Sequence, residues 1–527
     1  MRKVKAGRKN LDAIFYICLL IILFSIVLSG CGKKADAAAE GKTLKIASGQ
    51  TCESLDPTNA YDAWYLVRYG VCQTLTKMND DLSVSGWLVE DGYSSNDDYT
   101  VWTFQIKEGV TFSNGDALTG EAVKESLSYV FANSVRAKDY FSYESIEAEG
   151  QTVTITTKEA EPILPNKLAD PLFSIINTQT DTNDMAENGP IGTGPYIAES
   201  FDSTSLSCTV VKNQNYWGGK VKTDRIQFIY TEDQSTLTNS LRSGEVDGVY
   251  NLSMTDIGAF EEDSDYTIVQ TASGRTTHGF MNQKGALGDQ VLREAILQNL
   301  DKETYCSTLL ENQYVSGKTL ITSSADYGYE ELTDPNAYNP DHAVELLDDN
   351  GYKDIDGDGY RETPQGEKLE LSYTYYSGRP EQELLVEATC QEMAKIGIKI
   401  IPDLKDTASV MDQLASGDYD LLCMSINVLS CGDPENHLRS YFGEGGSYST
   451  SGWNNTEFNS LLDQLSMTAD QEERKEITKE AEQLLLDDGV CIFYCYPLMN
   501  FVTKSNISGI SCTPADYYWV SEDTEIS

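Results

Sequence analysis

Histidine is nearly absent from this chain: three in 527 residues, at His278, His342 and His437. Their wide separation excludes the paired spacing of a histidine zinc site. No HExxH, GxSxG or GxxxxGK[ST] pattern occurs that would carry metal-assisted, nucleophilic or phosphate chemistry. Basic residues are scarce too, 39 Lys and Arg against 83 Asp and Glu, for a net charge of −44. Nucleic acid is therefore excluded as a partner, because phosphates need Lys and Arg, and an anionic bilayer surface would not attract the chain. The twelve cysteines never fall at CxxC spacing. Cys491 and Cys495 lie four apart on one face of a strand-like run, and a chain this long needs no disulfides even where they are permitted. The reading is mostly buried free thiols, with no pairing fixed. What abounds instead is tyrosine, 31 in all, within a hydrophobic content of 40%. That composition belongs to a globular body and not to a disordered acidic tail, and the length suits two or three domains. Paired carboxylates are the one hydrolytic device so many acids could supply. No motif raises that option, so the expectation is no enzyme and no cofactor.

Charge is missing altogether from Ala13 to Gly32, behind a basic head of Arg2, Lys3, Lys5, Arg8 and Lys9. This is the layout of an export signal, with an uncleaved anchor as the alternative because the run nearly reaches spanning length. Leu28-Ser29-Gly30-Cys31 resembles the lipobox of bacterial lipoproteins. That likeness implies residues 1–30 as signal peptide, lipidation of Cys31, a tether over 31–42, and a cell-membrane-anchored protein facing the extracytoplasmic side. Loss of residues 1–30 removes five basic residues and one acid, taking the net charge from −44 to −48.

Further along, helix and strand patterns alternate. Thr43 to Ser48 alternates as a strand, and a turn at Asp56-Pro57 leads to a helix bearing Tyr61, Trp64, Tyr65 and Tyr69. Within residues 78–189 lie VWTFQIKEGVTFSNGDALT, with a turn at Asn114-Gly115, a helix from Gly120 to Asn133, and the strand-like QTVTITTK. STLTNSLRSGEVDGVY (235–250) and SVMDQLASGDYDLLCM (409–424) echo each other: Leu241 matches Leu414, Gly244 matches Gly417 and Asp247 matches Asp420. Each reads as a helix closed by a left-handed glycine cap and followed at once by a strand, so two lobes are built on similar units. Asp289 should cap a helix, Asp433-Pro434 should open another with Asp433 as its cap, and VCIFYCYPLMNFV should form a strand buried on both faces.

Together these segments resemble the solute-binding proteins of peptide and nickel ABC importers, solute-binding protein family 5. The likeness rests on Ser54-Leu55-Asp56-Pro57, WTFQIKEGVTFSNGDALT, PIGTGPY (190–196), NQNYWGG (213–219), LGDQVLREAI (287–296), the two SG(E/D)xD turns and CGDPENHL (431–438). It implies an α/β, two-lobed, periplasmic-binding-protein-like (type II) clamshell with an extra domain inserted in the first lobe. Lobe I would comprise 43–77, 190–280 and 500–527, the extra domain 78–189, and lobe II 281–499. A monomer would close on a solute and hand it to ABC permease and ATPase subunits; a sensor or pheromone receptor is the other role such a receptor can take.

The same resemblance suggests ligand-binding residues. Arg136 sits where the nickel branch grips carboxylates, against the alternative of a surface ion pair. Tyr61, Tyr65, Trp453 and Tyr494 stand as cleft-wall aromatics, though such residues are more often core. His278 falls where the chain crosses between lobes, with a structural histidine as the alternative. Peptide-binding relatives hold an amino terminus with an Asp three residues before the Asp-Pro or Glu-Pro pair; that position is Ser430 here. The nickel branch uses a His at the position of Gly446. Both anchors being absent, the solute is expected to be a peptide bound without the usual amine clamp, or else a metal chelate held by its carboxylates. Asp354, Asp356 and Asp358 resemble the start of a calcium loop, but position twelve is Gln365 instead of a bidentate Glu, so a solvated hairpin tip is the expected state.

Overall fold

The computed structural model describes residues 43–180, 182–376 and 379–527. The export signal, Cys31 and the tether lie outside the described residues. Ten strands line up in one sheet in the order Lys399–Lys405, Glu370–Tyr376, Leu421–Asn427, Arg275–Met281, Cys491–Lys504, Gly248–Tyr250, Thr43–Ser48, Arg225–Tyr230, Ser207–Lys212, Tyr196–Asp202. Two more, Tyr266–Ala272 and Tyr314–Ser316, also pair with Cys491–Lys504. The mixed α/β architecture expected from the sequence is present.

The internal echo is a true structural repeat. Helices Gln234–Ser243 and Thr407–Ser416 are capped by Asp233 and Asp406 and end at Gly244 and Gly417, whose φ values of 77° and 73° favour glycine. Asp247 accepts the Lys45 N–H at 2.9 Å, and its counterpart Asp420 accepts the Ser372 N–H at 2.9 Å. In each copy the next strand runs parallel to the one whose amide its aspartate holds: Gly248–Tyr250 beside Thr43–Ser48, Leu421–Asn427 beside Glu370–Tyr376. The repeated acid is thus a register pin, not a solute ligand.

Residues 75–175 build a separate core around Phe104, Phe112, Leu127 and Phe173, beneath the four-stranded sheet that includes Val101–Gln105 and Thr152–Thr157. The helix Gly120–Asn133 has the expected bounds, with Thr119 capping Ala122. PIGTGPY returns the chain past residues 70 and 71, where a β-carbon on Gly192 or Gly194 would come within 2.2 Å of a backbone oxygen. Only glycine permits that approach. A further core groups Leu292, Ile296, Tyr373, Val386 and Tyr494.

The helix after Asp433-Pro434 departs slightly from expectation. It spans Glu435–Phe442 with Pro434 itself at the cap. Asp433 still accepts the Glu435 N–H at 2.9 Å, but the buried Arg474 takes both of its oxygens at 2.7 Å and also binds Glu435 at 2.8 Å. A second buried acid, Glu482, accepts from Thr319 Oγ1 at 2.6 Å and Ile321 N at 2.9 Å. Burial pushes its pKa up to about 7. Because this exceeds the ordinary carboxyl value, the folded protein keeps a proton that the unfolded chain releases between about pH 4.5 and 7. Stability therefore falls as pH rises through that window, by roughly 3 kcal/mol at about 1.4 kcal/mol per pKa unit. His278, pushed down to about 4 by burial, acts in the opposite sense between about pH 4 and 6.5. Glu482→Gln should thus gain stability relative to the parent between pH 5 and pH 8. Urea midpoints of both proteins at the two pH values check this, and parallel shifts would refute it.

Candidate functional site

A cavity of about 510 Å³ opens where several strands end. Gln50 and Asn251 follow the parallel strands Thr43–Ser48 and Gly248–Tyr250. Asn427 closes Leu421–Asn427, and Arg379 lies just past Glu370–Tyr376. This is the crevice beyond the carboxyl ends of parallel strands in which α/β proteins place ligands. Arg275 begins the next strand, while Pro497 to Asn500 supply the floor from the middle of Cys491–Lys504. Tyr61, Trp64 and Tyr65 make an aromatic wall beside Tyr250 and Tyr314.

Charge in this cavity is one-sided. Asp516 is the single acid among the described lining residues, and both its oxygens are engaged: Arg68 binds one at 2.5 Å and the Trp519 indole N–H donates to the other at 3.2 Å. Arg68 is buried beneath the aromatics, its guanidinium 4.8 Å from the Tyr65 ring centre and 5.0 Å from that of Trp519. Arg275 and Arg379 are different. Arg275 donates to the Ser425 carbonyl at 2.8 Å, and among the described residues neither guanidinium meets a carboxylate within ion-pair distance. Burial and the Arg379 charge hold Arg275 below the usual arginine range, with Tyr376, Glu381 and Asp516 countering. Arg379 also occupies the cap position of the helix Pro380–Lys395 without making a capping bond. Arginine is a poor capping residue, so its presence there serves something other than the helix. Two guanidinium forks without carboxylate partners at one wall suit carboxylate oxygens.

The residues expected from sequence divide. Tyr61 and Tyr65 line the cavity. Arg136 reaches it only through Tyr61, stacking 3.7 Å above that ring while donating to the Ala60 carbonyl and the Tyr140 hydroxyl. The other four lie outside the lining. His278 is fully buried, its Nδ1 donating to the Thr276 carbonyl and its ring stacked on Phe280. Tyr494 is buried with its hydroxyl bonded to Tyr373 and Thr389. Trp453 donates to Asp488 and packs on Phe458. Ser430 presents its carbonyl to the Tyr517 hydroxyl at 2.8 Å. Tyr494 and Trp453 have their polar tips satisfied within the fold, and the His278 Nε2, though buried without a hydrogen-bond partner among the described residues, lies outside the lining. Sequence reading missed Arg275 and Arg379. Arg275 stood three residues before the singled-out His278, and Gly378-Arg379-Pro380 was a helix start with the wrong cap.

Residues 83–449 match the family described as bacterial extracellular solute-binding proteins, family 5 Middle. The chain belongs to that family. As a family 5 solute-binding protein it works outside the cytoplasm as the receptor of an ABC importer, and family members bind solutes and are not enzymes. Its relatives include the nickel-binding protein NikA of Staphylococcus aureus, 26% identical over 515 residues that cover 96% of this chain and 99% of the relative. The oligopeptide-binding protein OppA of Bacillus subtilis is 23% identical over 540 residues, 94% and 96% of the two chains. Among solved structures, a nickel ABC transporter protein from Bacillus halodurans superposes with a TM-score of 0.81 at 25% identity, covering 92% of this family 5 protein and all of that chain. The expected type II clamshell class follows from these likenesses.

Proposed function

We propose that this receptor is lipid-tethered through Cys31 and captures a small solute by the carboxylates it presents to Arg275 and Arg379. The observation that carries the reading is the pair of guanidinium groups without carboxylate partners, in a lining whose one acid is already engaged. A metal ion chelated by small carboxylate-bearing molecules fits best. The described lining holds no His or Cys to ligate a bare ion, so the organic ligands would shield the metal while their carboxylates meet the arginines. The end-to-end likeness to a nickel-binding protein supports this. A short peptide held by its C-terminal carboxylate is the second reading, favoured by the wall of Tyr61, Trp64 and Tyr65.

The lobes that close would be 43–77, 190–280 and 500–527, carrying the extra domain 78–189, against 281–499. Residues 498–504 of the long strand pair with Gly248–Tyr250 and Tyr266–Ala272, and 495–497 with Tyr314–Ser316, in support of a division near 499. Arg275–Met281, by contrast, pairs with 491–495 and with Leu421–Asn427, and so favours a first crossover ahead of Arg275 instead of at 280. Calorimetry tests the solute class. Nickel(II) in excess L-histidine should bind, and nickel(II) alone should not. Any peptide that binds should tolerate N-acetylation and lose its affinity on C-amidation; loss on acetylation with none on amidation would overturn the carboxylate reading.

A further inference from the structure

The parallel strands Glu370–Tyr376 and Leu421–Asn427 pair only briefly. Tyr373 lies opposite Leu421 and Thr374 opposite Leu422, and the register goes no further. Along its other edge Leu421–Asn427 stays paired to the end, where Asn427 meets Arg275. The sheet therefore forks at the end that faces the cavity, with Arg379 just past one prong and Asn427 closing the other. Backbone groups inside such a fork have no neighbouring strand, and where they are buried they need another partner.

A side chain supplies it. Gln382 is fully buried in the first turn of the helix Pro380–Lys395, and its amide takes the orientation that its neighbours dictate. The nitrogen donates to the Cys423 carbonyl at 3.2 Å, while the oxygen accepts from the Ser425 N–H at 3.2 Å and the Tyr376 hydroxyl at 3.1 Å. Bonding the carbonyl just before Met424 and the N–H just after it is what a residue of a parallel neighbouring strand would do. The amide thus stands in for a strand residue opposite Met424.

The same residue joins the supports of both arginines. The Gln382 backbone N–H donates to the Arg379 carbonyl at 3.0 Å. Ser425, whose N–H the amide holds, gives its own carbonyl to the Arg275 guanidinium at 2.8 Å. One line of hydrogen bonds therefore runs from the Arg379 backbone through Gln382 and Ser425 to the Arg275 side chain. We propose that Gln382 is a positioning residue for solute capture, setting the separation of the Arg275 and Arg379 guanidinium groups; this rests on the carboxylate reading of the cavity. An apolar side chain of the same size would fill the space but leave the Cys423 carbonyl and the Ser425 N–H buried without partners, and the fork would relax to satisfy them. Holding a carboxylate between two forks requires placement within about 0.5 Å, so that relaxation is felt at the solute.

The readout is a preference between two ligands. Calorimetry is run with nickel(II) in excess L-histidine and with nickel(II) in excess L-histidinamide, which lacks the carboxylate. The parent protein should favour the first chelate roughly ten- to a hundredfold. Gln382→Met, of similar length without the amide, should cut that preference to below about threefold. Gln382→Asn, whose amide falls one carbon short, should cut it too, and answers the question if the methionine variant does not fold. A merely structural lesion weakens both chelates alike, so an undiminished preference in either folded variant would overturn the assignment. If Arg379→Gln loses the preference while Gln382→Met keeps it, the role of Gln382 alone is refuted. Absence of any preference in the parent protein would instead remove the carboxylate grip, and this inference with it.

Discussion

Arg379→Gln is expected to weaken binding of a carboxylate solute roughly ten- to a hundredfold, and to raise the melting temperature of the solute-free protein. The first effect is the loss of a charge-assisted hydrogen bond, about 1.5–3 kcal/mol. The second arises because Arg275 and Arg379 repel each other when no anion lies between them, and removing one charge relieves that cost. Arg275→Gln should weaken binding at least as much, with less gain in stability, since it also gives up the bond to the Ser425 carbonyl. Arg136→Gln, at the position favoured by resemblance, should have a smaller effect, transmitted through Tyr61. Calorimetry with the nickel–histidine chelate, paired with thermal melts of the solute-free variants, checks all three. A fall in both affinity and melting temperature for Arg379→Gln would mean that this arginine is structural.

The largest expected loss of stability comes from Arg474→Met. Its guanidinium is 2% exposed, holds Asp433 through two bonds and Glu435 through a third, and donates to the Leu465 and Thr468 carbonyls. Removing one partner of a buried ion pair leaves the other charge uncompensated and costs about 3–5 kcal/mol. Asp433→Asn, which keeps an acceptor for the Glu435 N–H, should cost less. Urea denaturation of both variants measures the difference, and equal losses would show that the backbone bond, not the charge pair, governs this corner.

Architecture was legible in the sequence wherever local chemistry decides it. Thr119 and Asp289 could be read as caps, Gly244 and Gly417 as left-handed stops, and the echo of residues 235–250 in 409–424 as a repeated unit. Each of these depends on neighbours within a few residues. The cavity does not. Arg275 and Arg379 are about a hundred residues apart in sequence, and what singles them out is that, among the described residues, no carboxylate comes within ion-pair distance of either, which no local pattern encodes. Tyr494 and Trp453 misled for the converse reason: an aromatic with a polar tip has the same appearance in sequence whether it faces a ligand or a neighbouring hydroxyl. Asp433 was recognised as occupied, but its partner Arg474 lies 41 residues on and could not be inferred.

The strand Cys491–Lys504 has a consequence for how the protein is made. Four other strands, drawn from residues 248–316, take their hydrogen bonds from it. A chain exported N-terminus first therefore reaches the outside with those edges unsatisfied until residues 491–504 have crossed. Sheet closure must wait for that crossing, because pairings of such long sequence separation carry the full loop-closure entropy before any contact rewards it. Secretion and folding are in this way kept in order by topology: residues 43–490 have passed before the core can seal, and the interval in which apolar edges stand open is the one that extracytoplasmic chaperones would have to cover.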